Sequence, residues 1–431
     1  MECGGGYSVH LGGVTVSKIA ICGGKRLSGE VRVQGSKNAA LPILAATALS
    51  TKDCILCNCP KLSDVSSAID ILTWLGADAR YDEHTVLVNA KGLHKCEIPE
   101  RMMASMRSSV LFLGPILSRL KQAVISYPGG CSIGLRPIDL HLKSFRQLGV
   151  SVEEIGGRIY CKNDALRSGK INLLFPSVGA TENIMLLGAV SKAEITIVNA
   201  AREPEIVDLQ GFLNSMGAKI SGAGTETINI LGVEKLHEVR YNIMSDRIFA
   251  ATVLCATAAC GGSVILKNTN PEHLGIMLSM LSGAGCQIET GKDYVRIECD
   301  ERITGFGKVM TSPYPGFPTD AQALFMAALS SAEGTTVFVE NIFESRYKHV
   351  PELLKMGADI IVDGRLAAVT GCNFIQGANI EAQDLRGGAA LVVAGLSAIG
   401  DTIISGVEHI DRGYENIENT FEALGASIKR V

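Results

Sequence analysis

The sequence predicts an α/β protein of six similar units, with helices buried inside sheets rather than wrapped around them. Three observations carry this. An apolar or small residue followed by glycine recurs six times, at Leu75-Gly76-Ala77, Leu148-Gly149-Val150, Met216-Gly217-Ala218, Ala284-Gly285-Cys286, Met356-Gly357-Ala358 and Leu424-Gly425-Ala426. Successive glycines lie 73, 68, 68, 72 and 68 residues apart, and a near-constant period outranks local propensity as a guide to architecture. Within each unit an amphipathic helix leads into the glycine, and a second helix, apolar nearly all round, comes before it.

In the first unit Val65, Ala68, Ile69, Leu72 and Leu75 follow helical spacing along one face. Gly76 then suits the left-handed position that ends a helix, and a strand is expected over 85–88. The last unit repeats the pattern with Ile417, Phe421 and Leu424 ahead of Gly425. The helices without a polar face are expected at 39–49, 110–117, 184–190, 248–259, 321–329 and 389–396. A helix apolar on every side must be buried.

Polar residues gather at the N-terminal approaches to these buried helices: Ser36-Lys37-Asn38, Ser105-Met106-Arg107, the stretch 177–182, Asp246-Arg247, Thr319-Asp320 and Asp384-Leu385-Arg386. Helix N-termini present free amides and partial positive charge, so they attract anions. Ordinary capping accounts for Ser177 and Thr319. It does not account for Lys37, Arg107 or Arg386, because a cation opposes the dipole there; these point to a bound anion. With the units in two groups of three, the six helix starts can converge on one interdomain cleft.

A chain of 431 residues exceeds one ordinary core, so two large domains are expected. The formal net charge of −4 leaves no basic excess for nucleic acid, although a local cluster of cations still suits small anions. The 13 cysteines are scattered, and residues 1–16 lack the basic start and apolar run of a signal peptide. Reduced thiols in the cytoplasm are the consistent expectation. The apolar stretches 247–259 and 391–399 are too short to span a membrane. Cys54, Cys57 and Cys59 lie close together, yet no second ligand pair at zinc spacing follows, and 53–59 reads as a strand.

The segment Pro128-Gly129-Gly130-Cys131-Ser132-Ile133-Gly134-Leu135-Arg136-Pro137 holds three glycines around one thiol. Glycine lets main-chain amides approach a ligand, and Arg136 favours the thiolate of Cys131 or binds an anion.

Five stretches in order resemble one family: Gly35-Ser36-Lys37-Asn38-Ala39-Ala40-Leu41-Pro42, the Pro128–Pro137 segment, Ala201-Arg202-Glu203-Pro204-Glu205-Ile206-Val207-Asp208, Phe317-Pro318-Thr319-Asp320, and His409-Ile410-Asp411-Arg412-Gly413-Tyr414-Glu415. From about residue 17 onward the chain resembles the UDP-N-acetylglucosamine 1-carboxyvinyltransferases of the EPSP synthase superfamily. The resemblance implies two inside-out α/β barrel domains, each of three βαβαββ units, with the active site in the cleft between them. One domain would be 36–244, bearing a mobile Cys131 loop; the other would combine 1–35 with 245–431.

The implied reaction moves the enolpyruvyl group of phosphoenolpyruvate to the 3′-hydroxyl of UDP-N-acetylglucosamine. Phosphate is released in this first committed step of peptidoglycan biosynthesis, which serves cell wall biogenesis, cell shape and division. Such chemistry needs an acid for the vinyl carbon, a base for the hydroxyl, and cations for phosphate and carboxylate. The resemblance assigns Cys131 as general acid and site of a covalent phosphoenolpyruvate adduct, and Asp320 as base. Lys37, Arg136 and Arg412 would grip the phosphate beside Asn38. Arg107, Arg136, Pro137, Ile138, Asp139 and Leu140 would contact the UDP-sugar, as would Ser177, Val178, Gly179 and Ile342. Arg346 and Arg386 would complete the cationic lining. No metal, cofactor or obligatory oligomer is implied, and fosfomycin is the expected inhibitor.

Several positions depart from the family pattern. Phe175-Pro176 stands where some members carry a lysine, Phe249 where glutamate is usual, and Ser345 where asparagine is usual. Gly387-Gly388 softens the start of its helix. The nearest competing reading is the shikimate-pathway enolpyruvyl transferase, whose acidic–basic signatures are missing here. A catalytically silent binding protein is opposed by the intact set Lys37, Cys131, Asp320 and Arg412.

Overall fold

The computed structural model describes residues 17–129 and 138–431. The first 16 residues, and with them any role for that stretch, lie outside the described residues.

Two hydrophobic cores form. One gathers buried side chains between Ala39 and Ile243; the other combines Ile19, Ile21, Leu27 and Val33 with residues from Ile248 to Ile428. Around them, among the described residues, lie six sheets of three or four strands. A representative sheet sets Glu194–Val198 parallel to Gly169–Asn172 and antiparallel to Thr227–Leu231, which pairs antiparallel with Lys219–Ser221. Ile195, Ile197, Ile228 and Ile230 are buried while their neighbours face outward, the period-two alternation of a half-covered sheet. In the three-stranded sheet a bridge from Glu97 to Val124 occupies the place of the missing parallel strand.

Chain ends and crossings complete these sheets. Ile19–Cys22 lies between Asp401–Ser405 and Ser427–Arg430, antiparallel to both. Val239–Asn242 closes the first lobe by pairing parallel with Asp53–Cys57. The six repeat glycines all adopt left-handed backbone, with φ of 105°, 90°, 97°, 106°, 86° and 90° from Gly76 to Gly425. A side chain is disfavoured there, so the repeat seen in sequence marks six helix ends.

The apolar helices are buried as expected, and five of the six begin earlier. They run Lys37–Thr47, Leu113–Leu120, Val178–Ala189, Arg247–Cys260, Thr319–Leu329 and Leu385–Ser397, the second preceded by a 3₁₀ turn over Arg107–Phe112. Lys37, Arg247 and Arg386 in their first turns are charged yet buried, so a search for apolar runs starts too late there. In the second lobe the helices Arg247–Cys260, Thr319–Leu329 and Leu385–Ser397 pack on one another. Ala250, Ala251, Ala323, Ala327, Ala389 and Ala390 keep those contacts thin. Truncating a buried Leu324 or Leu391 to alanine would cost about 2–5 kcal/mol.

Cys54 and Cys59 are core side chains whose thiols burial pushes up to about 12, away from the thiolate a metal requires.

The chain crosses between lobes twice, and the crossings bond to each other. The Ser36 amide donates to Met244 O at 2.7 Å, and the Asp246 amide to Gln34 O at 2.9 Å. At Gly35 a Cβ would lie 1.8 Å from Asn58 O, so only glycine fits this crossing. Asp246 caps the Arg247–Cys260 helix, and its second oxygen accepts from the Lys37 amide at 3.4 Å.

Candidate active site

A cleft of about 530 Å³ opens between the lobes, reached by the first turns of five buried helices and by the 3₁₀ turn Arg107–Phe112 that leads into the sixth. They bring Lys37 and Asn38, Arg107, Ser177 with Val178 and Gly179, Arg247, Thr319 with Asp320, and Arg386. Asp139 and Leu140 line the first-lobe wall; Ile342, Arg346 and Arg412 line the second. Ile138 is buried behind that wall instead of facing the cleft. Cys131, Arg136 and Pro137 lie outside the described residues.

Two carboxylates organise the cations. Asp64, in the first turn of helix Ser63–Leu75, receives Lys37 Nζ at 2.6 Å and Arg412 Nε at 3.0 Å. Burial alone would raise its proton affinity, but Lys37 and Arg412 hold the carboxyl below its usual range. Burial, with Arg386 and Arg412 nearby, pulls the Lys37 ammonium below its ordinary value. Arg412 belongs to the second lobe, so this triad spans the cleft.

Asp320 is the second organiser. Its Oδ1 accepts from Arg346 at 2.8 Å and its Oδ2 from Arg386 at 2.9 Å. Burial opposes the charge, yet Arg386 and Arg346 keep the carboxyl far below the carboxylate range. Arg346 is fixed from behind by Thr319 O at 3.0 Å. Two oxygens with several lone pairs leave acceptor capacity toward the cleft.

The cations at helix starts therefore have protein counter-ions: Lys37 faces Asp64 and Arg386 faces Asp320. Thr319 is not a cap; Pro318 holds that position, and the Thr319 hydroxyl donates to Glu340 at 3.0 Å. Ser177 does cap its helix, accepting from the Ala180 amide at 3.3 Å.

Sequence reasoning missed several lining residues. Asp64 reads as an ordinary first-turn acid. Glu205 pairs with Arg247 at 2.9 Å with both side chains buried. Beside them burial, with Glu205 and Glu203 nearby, raises the Glu182 carboxyl well above its ordinary value. His141 is also buried, and its Nδ1 accepts from Asn183 Nδ2 at 3.0 Å. Burial and Arg107 pull its pKa down to about 3, leaving a neutral ring under Gly179. The one available signal was position: Arg247 opens a buried helix, Glu182 lies just inside another, and Glu205 falls in the first turn of the separate helix Pro204–Ser215.

The family model for EPSP synthase (3-phosphoshikimate 1-carboxyvinyltransferase) matches residues 21–421. The chain is 50% identical over 416 residues to UDP-N-acetylglucosamine 1-carboxyvinyltransferase 2 of Caldanaerobacter subterraneus subsp. tengcongensis, covering 96% of this chain and 100% of the relative. It is 45% identical to UDP-N-acetylglucosamine 1-carboxyvinyltransferase 1 of Carboxydothermus hydrogenoformans, covering 96% and 99%. Among solved structures, the enolpyruvyl transferase NikO from Streptomyces tendae superposes with a TM-score of 0.87 at 26% identity, covering 96% of this chain and 99% of that one. EPSP synthase from Acinetobacter baumannii, at 20% identity and a TM-score of 0.75, covering 96% and 100%, shares the fold.

Proposed function

The chain belongs to the UDP-N-acetylglucosamine 1-carboxyvinyltransferase family within the EPSP synthase fold, and on that premise we propose that it transfers the enolpyruvyl group of phosphoenolpyruvate to the 3′-hydroxyl of UDP-N-acetylglucosamine. Phosphate leaves, and the product enters peptidoglycan synthesis. The observation that carries this reading is the convergence of Lys37, Arg107, Arg247 and Arg386 from helix starts with Arg346 and Arg412 on one cleft, with Asp64 and Asp320 pairing four of them. Such a cleft suits a pair of substrates bearing several negative charges.

In the reaction, C3 of the vinyl group takes a proton and C2 accepts the sugar oxygen. The resulting tetrahedral adduct then loses phosphate and returns a C3 proton. Cys131 supplies the acid, and Asp320 receives the hydroxyl proton. While Arg346 and Arg386 hold Asp320, it is a weak base; an anionic substrate that competes for those guanidiniums raises its proton affinity. Lys37 and Arg412, already facing one another through Asp64, grip the phosphate with Arg136, beside Asn38. Arg107, Pro137, Asp139, Leu140, Ser177, Val178, Gly179 and Ile342 serve the UDP-sugar, with Ile138 packed behind them. Residues 36–244 and 245–431 with the N-terminal strands act as the two lobes, and their closure excludes water.

An obligatory oligomer is no part of this reading. The cytoplasm is the site of action. No helix among the described residues is long and apolar enough to cross a membrane. The test is phosphate release with both substrates and with each omitted in turn. Release only when both are present supports the reading. Thermal stabilisation by shikimate 3-phosphate and not by UDP-N-acetylglucosamine would replace the acceptor.

A further inference from the structure

The segment that carries Arg412 is fastened to both lobes by alternate residues. On its own lobe, the buried Tyr414 hydroxyl lies 2.8 Å from Thr252 Oγ1, and Asp411 accepts from Arg430 at 2.7 Å. Toward the first lobe, Arg412 reaches Asp64, and Glu415 Oε1 accepts from the backbone amide of Lys61. Gln34, on the first crossing, binds both sides of the same turn: its amide donates to Gly413 O and its oxygen accepts from the Glu415 amide, each at 3.0 Å.

Lys61 stands immediately before the helix that begins at Ser63 and places Asp64 in its first turn. The Cys59 amide, just upstream, is held by His84 O at 2.9 Å. His84 Nδ1 also lies 3.6 Å from Glu415 Oε1. Glu415 is thus bonded to the stretch that presents Asp64, three residues along from the arginine that Asp64 receives. A seam hollow of about 710 Å³, lined in part by Lys61, His84 and Glu415, lies on this side.

We infer that Glu415 is a positioning residue for phosphoenolpyruvate: its hydrogen bond across the lobe seam fixes the Arg412 turn against the Asp64 helix, so that Arg412 and Lys37 face the same phosphate. A carboxylate accepting from a backbone amide is a charge-assisted bond with defined direction, unlike an exposed ion pair of little net value. Glu415 acts through Arg412 and touches no substrate. This inference rests on the enolpyruvyl transfer proposed above.

Steady-state kinetics of Glu415→Ala, Glu415→Gln, Arg412→Lys and the E415A/R412K double variant test it. Wild-type phosphate release comes first, because its failure would remove the proposed reaction and not this inference alone. With a working wild type, E415A is expected to raise KM for phosphoenolpyruvate about tenfold while KM for UDP-N-acetylglucosamine stays within about twofold. E415Q keeps an oxygen for the Lys61 amide and is expected to recover most of the loss. In the R412K background E415A should add less than about twofold, because residues acting through one contact are not additive. Unchanged KM values, an equal rise in both, no recovery by E415Q, or multiplying effects with R412K would each overturn the inference. Should E415A unfold, Glu415→Asp, which withdraws the oxygen by one methylene, carries the same reading.

Discussion

Lys37 Nζ lies 2.6 Å from Asp64 Oδ2, with both side chains almost wholly out of water. Asp64→Ala would leave Lys37 beside Arg412 with no carboxylate between them. Breaking one side of a buried pair costs about 3–5 kcal/mol, and urea denaturation at pH 7 should show a loss of that order. Because Asp64 is held below its usual range, the difference from wild type persists above about pH 4 and fades as the pH falls through the lower folded value. Added inorganic phosphate should recover part of the loss by binding the freed cations.

Asp320→Ala should lower kcat by about 10²–10⁴, the range of a lost general base. Calorimetry should still detect UDP-N-acetylglucosamine binding. Near-normal turnover in this variant would assign the base elsewhere.

Two buried histidines predict acid sensitivity above the carboxylate range. Burial pulls His141 down to about 3, and His349 down to about 4. Unfolded histidine takes up its proton near pH 6.5, so the unfolded chain is protonated first. Stability is full above about pH 6.5 and declines as the pH falls toward these folded values, by about 2 kcal/mol per histidine at pH 5. Urea midpoints at pH 7.5 and pH 5 measure it, and His349→Gln should flatten the slope. A flat profile in the wild type would mean that these rings are protonated in the folded state.

Cys131 is expected to be alkylated by fosfomycin, since a thiolate opens the epoxide. Intact-protein and peptide mass spectrometry should place one adduct on Cys131 as activity is lost. An active, inhibitor-treated enzyme without that adduct contradicts its role as the acid.

The six-unit architecture could be read because each repeat glycine sits where only left-handed backbone continues the chain, as Gly76 and Gly285 do at 105° and 106°. Lys37, Asp320 and Arg386 stood out because charge at a helix start is unusual in an apolar run. Asp64 and Glu205 carried no such mark. Asp64 acquires its place only when Arg412, 348 positions away, closes from the other lobe. Glu205 depends likewise on Arg247 across the crossing. Thr319 misled because its composition fits a cap, whereas Pro318 and Glu340 decide what its hydroxyl does.

The strand Ile19–Cys22, threaded between Asp401–Ser405 and Ser427–Arg430, imposes an order on biogenesis. This strand has neither partner until residues 401–430 have been delivered by the ribosome, while everything from Lys37 to Asn242 is contiguous and can assemble during translation. Long-range pairing of this kind is slow to form. A premature stop that removed Ser427–Arg430 would therefore leave one edge of Ile19–Cys22 unpaired, a route to aggregation from a lesion far from the chemistry.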